Sequence, residues 1–197
     1  DLRTLEFYFD YGSPYSYLAD TQVEAIARRA GAQLVRKPML LGGVFKATGN
    51  QSPVLIEAKG RWMWDDMMRW ARRYGVTLAH NPWFIINTLP IMRGAAGYQM
   101  REPDRFLKYV DLMFRAMWEK PVNLGDPLVI AQTLAAGGFD ATAFNAMIAE
   151  PEVKAKLVAD TEAAVKRGVF GAPTMFVSDD MFFGQDRLEF VKDALRA

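Results

Sequence analysis

The chain has 197 residues, of which 51% are hydrophobic and 24% are charged, and its formal net charge is +1. This composition is typical of a globular protein, and without a basic block, an acidic tail or a long apolar run, nucleic acid and membranes are poor candidate partners. Because the sequence contains no cysteine and a single histidine, it excludes disulfides, thiol nucleophiles, dithiol redox chemistry and thiolate metal sites, and we expect no metal.

The first predicted elements are a strand, a helix and a second strand. Leu5–Asp10 alternates aromatic and polar residues, which is typical of a strand. Ser13 followed by Pro14 predicts a helix start, because serine is a good N-cap and proline is favoured at the first helical position. The helix is expected to end at Gly31, and Gln33–Pro38 predicts the second strand. The chain therefore opens as a βαβ unit.

The middle of the chain, residues 59–168, shows helical patterns almost throughout. One stripe has the 3.6-residue period of a helix and consists of Phe106, Leu107, Val110, Met113, Phe114 and Met117. Asp126 and Asp140 each predict a helix start as an N-cap. A further helix is expected from about Glu152 to Arg167. The many methionines and aromatic residues of this region indicate core packing rather than a cofactor site.

Strands return near the end of the sequence. Pro173–Val177 is a short apolar run, and Met181–Phe183 follows two aspartates, so together they predict a β-hairpin. A last helix is expected from Arg187 to Leu195. The element order is therefore β-α-β, a long helical insertion, and β-β-α.

The turn YGSPYS at residues 11–16 is the first candidate site. Ser13 lies where the unpaired N–H groups and the dipole of the following helix favour an anion. Its hydroxyl can cap the helix, donate a hydrogen bond to a bound thiolate, or do both. His80 has no nucleophile or orienting carboxylate near it in the sequence and is predicted to be a loop residue.

The segment GVFGAPTMF at residues 168–176 is the second candidate site. Pro173 directly precedes a strand, although proline cannot donate a hydrogen bond to a sheet. A cis bond between Ala172 and Pro173 would end the pairing there and expose the backbone of Ala172. The exposed N–H and C=O groups could then pair with a peptide-like ligand as an added strand.

The order of elements, the motif at the first helix and the proline before the third strand resemble the thioredoxin superfamily in its DsbA-like form. Redox members carry Cys-x-x-Cys, and here Ser13 and Ser16 stand at both cysteine positions. The chain resembles 2-hydroxychromene-2-carboxylate isomerases and kappa-class glutathione transferases more closely, over essentially its whole length. The matching segments are FYFDYGSPYSYLA at 7–19, TGN at 48–50 with Pro53 and Lys59-Gly60, FGAPT at 170–174, and FGQDRL at 183–188.

This resemblance implies an α/β, thioredoxin-like fold with a large all-helical insertion. Residues 1–40 and 169–197 would form the thioredoxin-like domain, and residues 41–168 would form the helical insertion. A homodimer in the cytoplasm is also implied.

The resemblance assigns roles to individual residues. It implies that Ser13 is catalytic, because its hydroxyl would hydrogen-bond the glutathione sulfur and favour the thiolate. The implied glutathione contacts are Asn50, Lys59, Ala172, Pro173, Gln185 and Asp186, and the implied substrate contacts are Lys37 and Asn87. Asp186 suits the ammonium group of glutathione and is also placed to cap the last helix. Trp83 and Phe84 could line the pocket or pack in the core.

The activity implied is a glutathione-dependent isomerisation of 2-hydroxychromene-2-carboxylate or a similar aromatic intermediate, as in naphthalene degradation. Glutathione would act as a cofactor through reversible thiolate addition, which needs neither a histidine nor a metal. A kappa-like glutathione S-transferase that releases the conjugate is the alternative. A non-catalytic thioredoxin-fold binding module is a third hypothesis from another class.

Overall fold

The computed structural model describes residues 3–197, so Asp1 and Leu2, the first residues of the predicted thioredoxin-like domain, lie outside the described residues. The described elements are β1 (Thr4–Phe9), α1 (Pro14–Arg29), β2 (Gln33–Pro38), α2 (Leu41–Thr48), α3 (Glu57–Tyr74), α4 (Leu89–Arg101), α5 (Pro103–Trp118), α6 (Pro127–Ala136), α7 (Ala141–Ala149), α8 (Pro151–Lys166), β3 (Thr174–Val177), β4 (Asp180–Phe183) and α9 (Leu188–Arg196). The predicted order of elements is confirmed at both ends of the chain.

The four strands form one sheet in the order β2-β1-β3-β4. β1 is parallel to β2 and antiparallel to β3, so Tyr8 lies opposite Lys37 on one side and Thr174 on the other. β4 pairs with β3 as the second arm of the hairpin. The chain leaves the sheet after β2, forms α2 to α8, and returns through β3.

Helices cover both faces of the sheet. On one face, Phe7 stacks on Phe9, and Phe9 lies 5.5 Å from the ring of Phe114 in α5. On the other face, Tyr8 packs edge-on against Phe176 in a smaller cluster that includes residues of α2 and α8. Because both faces are buried, the strands carry apolar side chains at successive positions.

The main hydrophobic cluster joins the sheet to the helices of residues 41–168. It includes Phe9 of β1, Val23 of α1 and Met113 of α5. Within the described residues between β2 and β3 there are helices, turns and loops but no strand. The division into two domains remains a prediction, since this cluster is continuous across the proposed boundary.

Helix α2 follows β2 directly, in a segment for which the sequence predicted no element. Its glycines, Gly42 and Gly43, weaken the local helix signal. Tertiary hydrogen bonds fix its start instead, because Leu41 N–H donates to Asp10 Oδ2 at 2.8 Å and Leu40 N–H donates to Thr161 Oγ1 at 2.9 Å. Across residues 3–197, none of the helices has the length and apolar character that crossing a bilayer requires.

Candidate functional site

A cavity of about 380 Å³ opens at the N-terminal end of α1. Its walls come from the turn at 12–15, the segment 50–54, helix α3, the loop at 171–173 and the turn at 183–186. The segments that carry the resemblance therefore meet at this cavity. The segments at 7–19, 170–174 and 183–188 each contribute to its walls, and Asn50 and Pro53 contribute from the segment that begins at residue 48. Folding brings these segments together although they are spread over more than 170 residues of sequence.

Ser13 lies at the base of this cavity and is only 6% exposed. Its Oγ accepts a hydrogen bond from Ser16 N–H at 3.0 Å, which confirms it as the N-cap of α1. The hydroxyl also donates to the carbonyl oxygen of Ala172 at 3.3 Å. Because this second hydrogen bond is long, the hydroxyl can rotate and donate to an acceptor in the cavity instead.

The Ala172–Pro173 bond is cis, as the second candidate segment indicated. Gly184 N–H donates to the Pro173 carbonyl at 3.0 Å, which joins the turn after β4 to this loop. Asn50 Nδ2 donates to Phe170 O at 2.8 Å, so the end of α2 is tied to the same loop. Asn50, Ala172 and Pro173 therefore all line the cavity beside Ser13.

Gln185 and Asp186 lie together in the turn after β4 and both line the cavity. Gln185 is 1% exposed, and its Nε2 donates to the Tyr74 hydroxyl at 2.6 Å. Its Oε1 is buried with no hydrogen-bond partner among the described residues. Asp186 makes no capping hydrogen bond to α9, whose N-cap is Arg187. The helix-cap interpretation of Asp186 is therefore wrong, and Asp186 is one of the residues that line the cavity.

Three predicted contact residues lie elsewhere. Lys59 is exposed on α3 beside the lining residue Gly60, and it is not part of the lining. Lys37 lies on β2, where its ammonium is 3.3 Å from Glu6 Oε2. Asn87 accepts a hydrogen bond from the N–H of Leu89 at the start of α4. The structure therefore does not bring Lys37 and Asn87 to the cavity.

One wall of the cavity was not anticipated from the sequence. On α3, Asp66 accepts a hydrogen bond from the Tyr15 hydroxyl at 2.8 Å. Burial raises the pKa of Tyr15, and the hydrogen bond to Asp66 raises it further, so the phenol stays protonated. The signal was present in the run WMWDDMM at 62–68, because Met63, Asp66 and Met67 share one face of a helix.

Aromatic side chains complete this wall. His80 is a loop residue, as predicted, and its ring meets that of Trp64 edge-on at 5.0 Å. Phe84 lines the cavity against Trp118, whose Nε1 donates to Tyr11 O at 2.7 Å. Trp83 is 49% exposed and is neither part of the lining nor a core residue.

A buried carboxylate, Asp10, holds the turn before α1 in place. It accepts hydrogen bonds from Gly12 N–H at 2.9 Å, Leu41 N–H at 2.8 Å and Thr88 Oγ1 at 2.8 Å. Burial raises its pKa, and these three hydrogen bonds partly offset that rise. Asp10 thus links the turn that carries Ser13 to the starts of α2 and α4. Sequence reasoning assigned Asp10 to the end of a strand and gave it no role.

This arrangement can hold a peptide against Ala172 and stabilise an anion beside Ser13. The α1 N-terminus supplies the positive end of a helix dipole, and the hydroxyl supplies a hydrogen-bond donor. Among residues 3–197, no group of three or more aspartate, glutamate or histidine side chains is gathered closely enough to hold a metal ion.

Comparison with known proteins identifies the family. Residues 4–196 match the model of the DSBA-like thioredoxin domain. The chain is 31% identical to a 2-hydroxychromene-2-carboxylate isomerase of Sphingobium xenophagum, and the match covers 98% of both chains. It is 27% identical to glutathione S-transferase kappa 1 of Homo sapiens, over 98% of this chain and 91% of that protein.

A solved 2-hydroxychromene-2-carboxylate isomerase has a similar structure. It superimposes with a TM-score of 0.85 at 29% identity and covers 98% of this chain and 94% of the other. The thioredoxin-like α/β fold predicted from the sequence is therefore confirmed. The chain belongs to the DSBA-like thioredoxin family, among the relatives of the 2-hydroxychromene-2-carboxylate isomerases.

Proposed function

We propose that this protein is a glutathione-dependent isomerase acting on 2-hydroxychromene-2-carboxylate or a similar unsaturated aromatic intermediate. The observation that carries the proposal is the position of the Ser13 hydroxyl, in a cavity, at a helix N-terminus and 3.3 Å from the Ala172 carbonyl. The chain has no thiol of its own. A site that stabilises a sulfur anion therefore needs a sulfur-bearing cofactor.

The residues around the cavity fit glutathione. The N–H and C=O of Ala172, next to a cis proline, can pair with the cysteinyl backbone. Asp186, which lines the cavity, suits the ammonium group of the γ-glutamyl end by charge, and Gln185 lies beside it in the same turn. Lys59, exposed on α3 next to the lining residue Gly60, is assigned to the glycyl carboxylate in this proposal. When bound, glutathione would supply a thiolate nucleophile.

The protein's own residues would position and stabilise the reactants. Ser13 donates a hydrogen bond to the sulfur, and the α1 dipole lowers the free energy of the anionic form. Asp10 holds the turn so that this hydroxyl keeps its direction. Trp64, Phe84 and Trp118 provide an apolar wall that excludes water from an aromatic substrate. Lys37 and Asn87 are not carried into this proposal.

Relatives named as isomerases at about 30% identity favour the isomerase. Relatives named kappa glutathione transferases at 26–28% identity favour the second candidate, a transferase. The two differ in whether glutathione is conserved. Following its concentration over many turnovers separates them, because an isomerase regenerates glutathione and a transferase consumes it.

Glutathione at millimolar concentration should raise the Tm of the protein, since a ligand selective for the native state stabilises it. Ser13→Ala should reduce the thiolate absorbance of bound glutathione in the ultraviolet, whereas Ser16→Ala, which removes a hydroxyl behind the cavity, should not. A Tm that does not respond to glutathione would leave only the binding-module hypothesis.

The proposal includes a cytoplasmic homodimer. Light scattering combined with size-exclusion chromatography measures the mass in solution directly. A mass equal to one 22.2 kDa chain would contradict the dimer.

A further inference from the structure

The turn after β4 carries both Gln185 and Asp186, and its backbone is fixed at its start. Gly184 has a φ of 103°, a conformation that favours glycine, and its N–H donates to Pro173 O at 3.0 Å. The Gly184 carbonyl accepts a hydrogen bond from Arg187 N–H at 3.2 Å, which closes a single 3₁₀ turn. These bonds involve only backbone atoms, so other contacts must hold the side chains of the turn.

The side chain of Gln185 is tied to the helical insertion. It is buried, and its Nε2 donates to the Tyr74 hydroxyl at 2.6 Å. Because its Oε1 has no partner, this is the only hydrogen bond that the Gln185 side chain makes to residues 3–197. Buried amides in proteins are normally hydrogen-bonded. The placement of Gln185 therefore depends on one hydroxyl group.

Tyr74 is the last residue of α3 and does not line the cavity. Its half-buried ring packs against that of Trp70, one helical turn earlier, with the ring centres 5.5 Å apart. Burial raises the pKa of Tyr74, so the phenol is neutral at physiological pH. The Tyr74 hydroxyl can thus affect a ligand in the cavity through Gln185, and phenylalanine in its place would remove the hydroxyl without changing the charge.

Asp186 lies against the start of the same turn. A Cβ on Gly184 would lie 2.6 Å from Asp186 Oδ1, so the carboxylate is folded back over Gly184. Asp186 lines the cavity, and the proposed function assigns it to the ammonium group of the γ-glutamyl end. Site residues keep their direction when neighbouring hydrogen bonds hold the backbone that carries them. A hydrogen bond that fixes Gln185 therefore also limits the directions that the Asp186 carboxylate can take.

We propose that Tyr74 is a positioning residue for glutathione binding, because its hydroxyl holds Gln185 and thereby fixes the turn that presents Asp186 to the ligand. This inference rests on the proposed function. A turn that is ordered before the ligand arrives loses less conformational entropy on binding, which strengthens binding. The hydrogen bond also gives α3 a role beyond lining the cavity, since its C-terminal end supports the turn that follows the last strand of the sheet.

The test measures the dissociation constant of glutathione by isothermal titration calorimetry and the ultraviolet thiolate absorbance at saturating glutathione. Tyr74→Phe should raise the dissociation constant at least about threefold, because the turn must then be ordered when glutathione binds. The thiolate absorbance per bound glutathione should not change, since Ser13 and the start of α1 are untouched. Affinity and thiolate formation are thus separated, which a general disturbance of the cavity would not achieve.

Two further variants locate the effect. Gln185→Met keeps the length of the side chain but not its amide, and it should also weaken glutathione binding. Adding Tyr74→Phe to it should cause no further loss, because both changes break the same hydrogen bond.

Tyr17→Phe is the matched control. The Tyr17 hydroxyl donates to the carbonyl oxygen of Thr77, near the same end of α3, but Tyr17 is not part of the cavity lining. The variant loses a hydrogen bond of the same type, and its dissociation constant for glutathione should equal that of the wild type. A thermal melt of each variant checks that it is folded.

Any of four results would overturn the inference. These are an unchanged dissociation constant for Tyr74→Phe, a fall in its thiolate absorbance, an equal loss of affinity for Tyr17→Phe, and losses for Tyr74→Phe and Gln185→Met that multiply in the double variant. A wild-type protein that does not bind glutathione would contradict the proposed function itself. Wild-type binding that Tyr74→Phe leaves unchanged would contradict the inference alone.

Discussion

Ser13, the N-cap of α1, and Ser16, in the first turn of that helix, have opposite environments. Ser13 Oγ makes two hydrogen bonds, one of them to the N–H of Ser16 at the start of the helix. Ser16 Oγ is fully buried and has no hydrogen-bond partner among the described residues. A satisfied hydroxyl stabilises the fold, whereas a buried unsatisfied one costs desolvation free energy. The sequence motif gives the two serines equal weight, but their surroundings do not.

Ser13→Ala should therefore lower the free energy of unfolding by about 1 kcal/mol, the usual cost of losing an N-cap. Ser16→Ala should be neutral or stabilising by up to about 1 kcal/mol, because only an unpaired hydroxyl is removed. Urea denaturation of both variants without glutathione measures this. A larger loss for Ser16→Ala than for Ser13→Ala would show that the Ser16 hydroxyl does find a partner.

At the scale of elements, α4 packs closely against its neighbours through glycine. A Cβ on Gly94 would lie 2.5 Å from Phe144 Cε2 of α7 and would also meet the hydroxyl of Tyr109 in α5. Tyr109 is fully buried and donates a hydrogen bond to Ile91 O at 2.7 Å, so it cannot move freely. The glycine thus permits a close helix crossing that any side chain would prevent.

Gly94→Ala should destabilise the protein by about 2 kcal/mol, because overpacking and the displaced Tyr109 hydrogen bond outweigh the gain in helix propensity. Gly97→Ala on the same helix is the control. The nearest atoms to its added Cβ would be Cε, Sδ and Cγ of Met147, at 2.7, 2.8 and 2.9 Å, and this unbranched, flexible side chain can adopt another rotamer at a smaller cost than Tyr109. Thermal denaturation of the two variants should give a clearly lower Tm for Gly94→Ala, and equal losses would contradict this account.

At the scale of the whole molecule, an ion-pair cluster joins the two ends of the helical insertion to the sheet. Glu6 of β1 receives two hydrogen bonds from Arg167, at 2.8 and 3.1 Å, where the chain leaves α8. Lys37 of β2 lies 3.3 Å from the same carboxylate. Burial raises the pKa of Glu6, but the hydrogen bonds and charges of Arg167 and Lys37 together outweigh it, and the pKa falls below its usual 4.5.

Folding lowers the pKa of this carboxyl group. Such a group stabilises the native state at a pH above its pKa in the unfolded chain, and the stabilisation is lost as the pH falls through its pKa in the folded protein. Glu6→Gln should therefore reduce stability near pH 7, and its difference from the wild type should shrink as pH falls below about 4. Urea denaturation across this range measures it. Glu189→Gln, which breaks an exposed pair with Lys192, should have little effect at any pH. A Glu6→Gln difference that is independent of pH would contradict the ion-pair explanation.

The sequence by itself determined the order of elements at both ends of the chain and the N-cap at Ser13, and its motifs marked several of the segments that meet at the cavity. Helix caps and hydrophobic periodicity are local properties of the sequence, so these features can be predicted without knowledge of tertiary contacts. Only the tertiary structure decided that α2 begins at Leu41, that Asp66 and His80 face the cavity, and that Lys37 and Asn87 do not. The reason is that these outcomes depend on contacts between residues distant in sequence, such as Tyr15 with Asp66 and Lys37 with Glu6, which only the packing of helices on the sheet brings together.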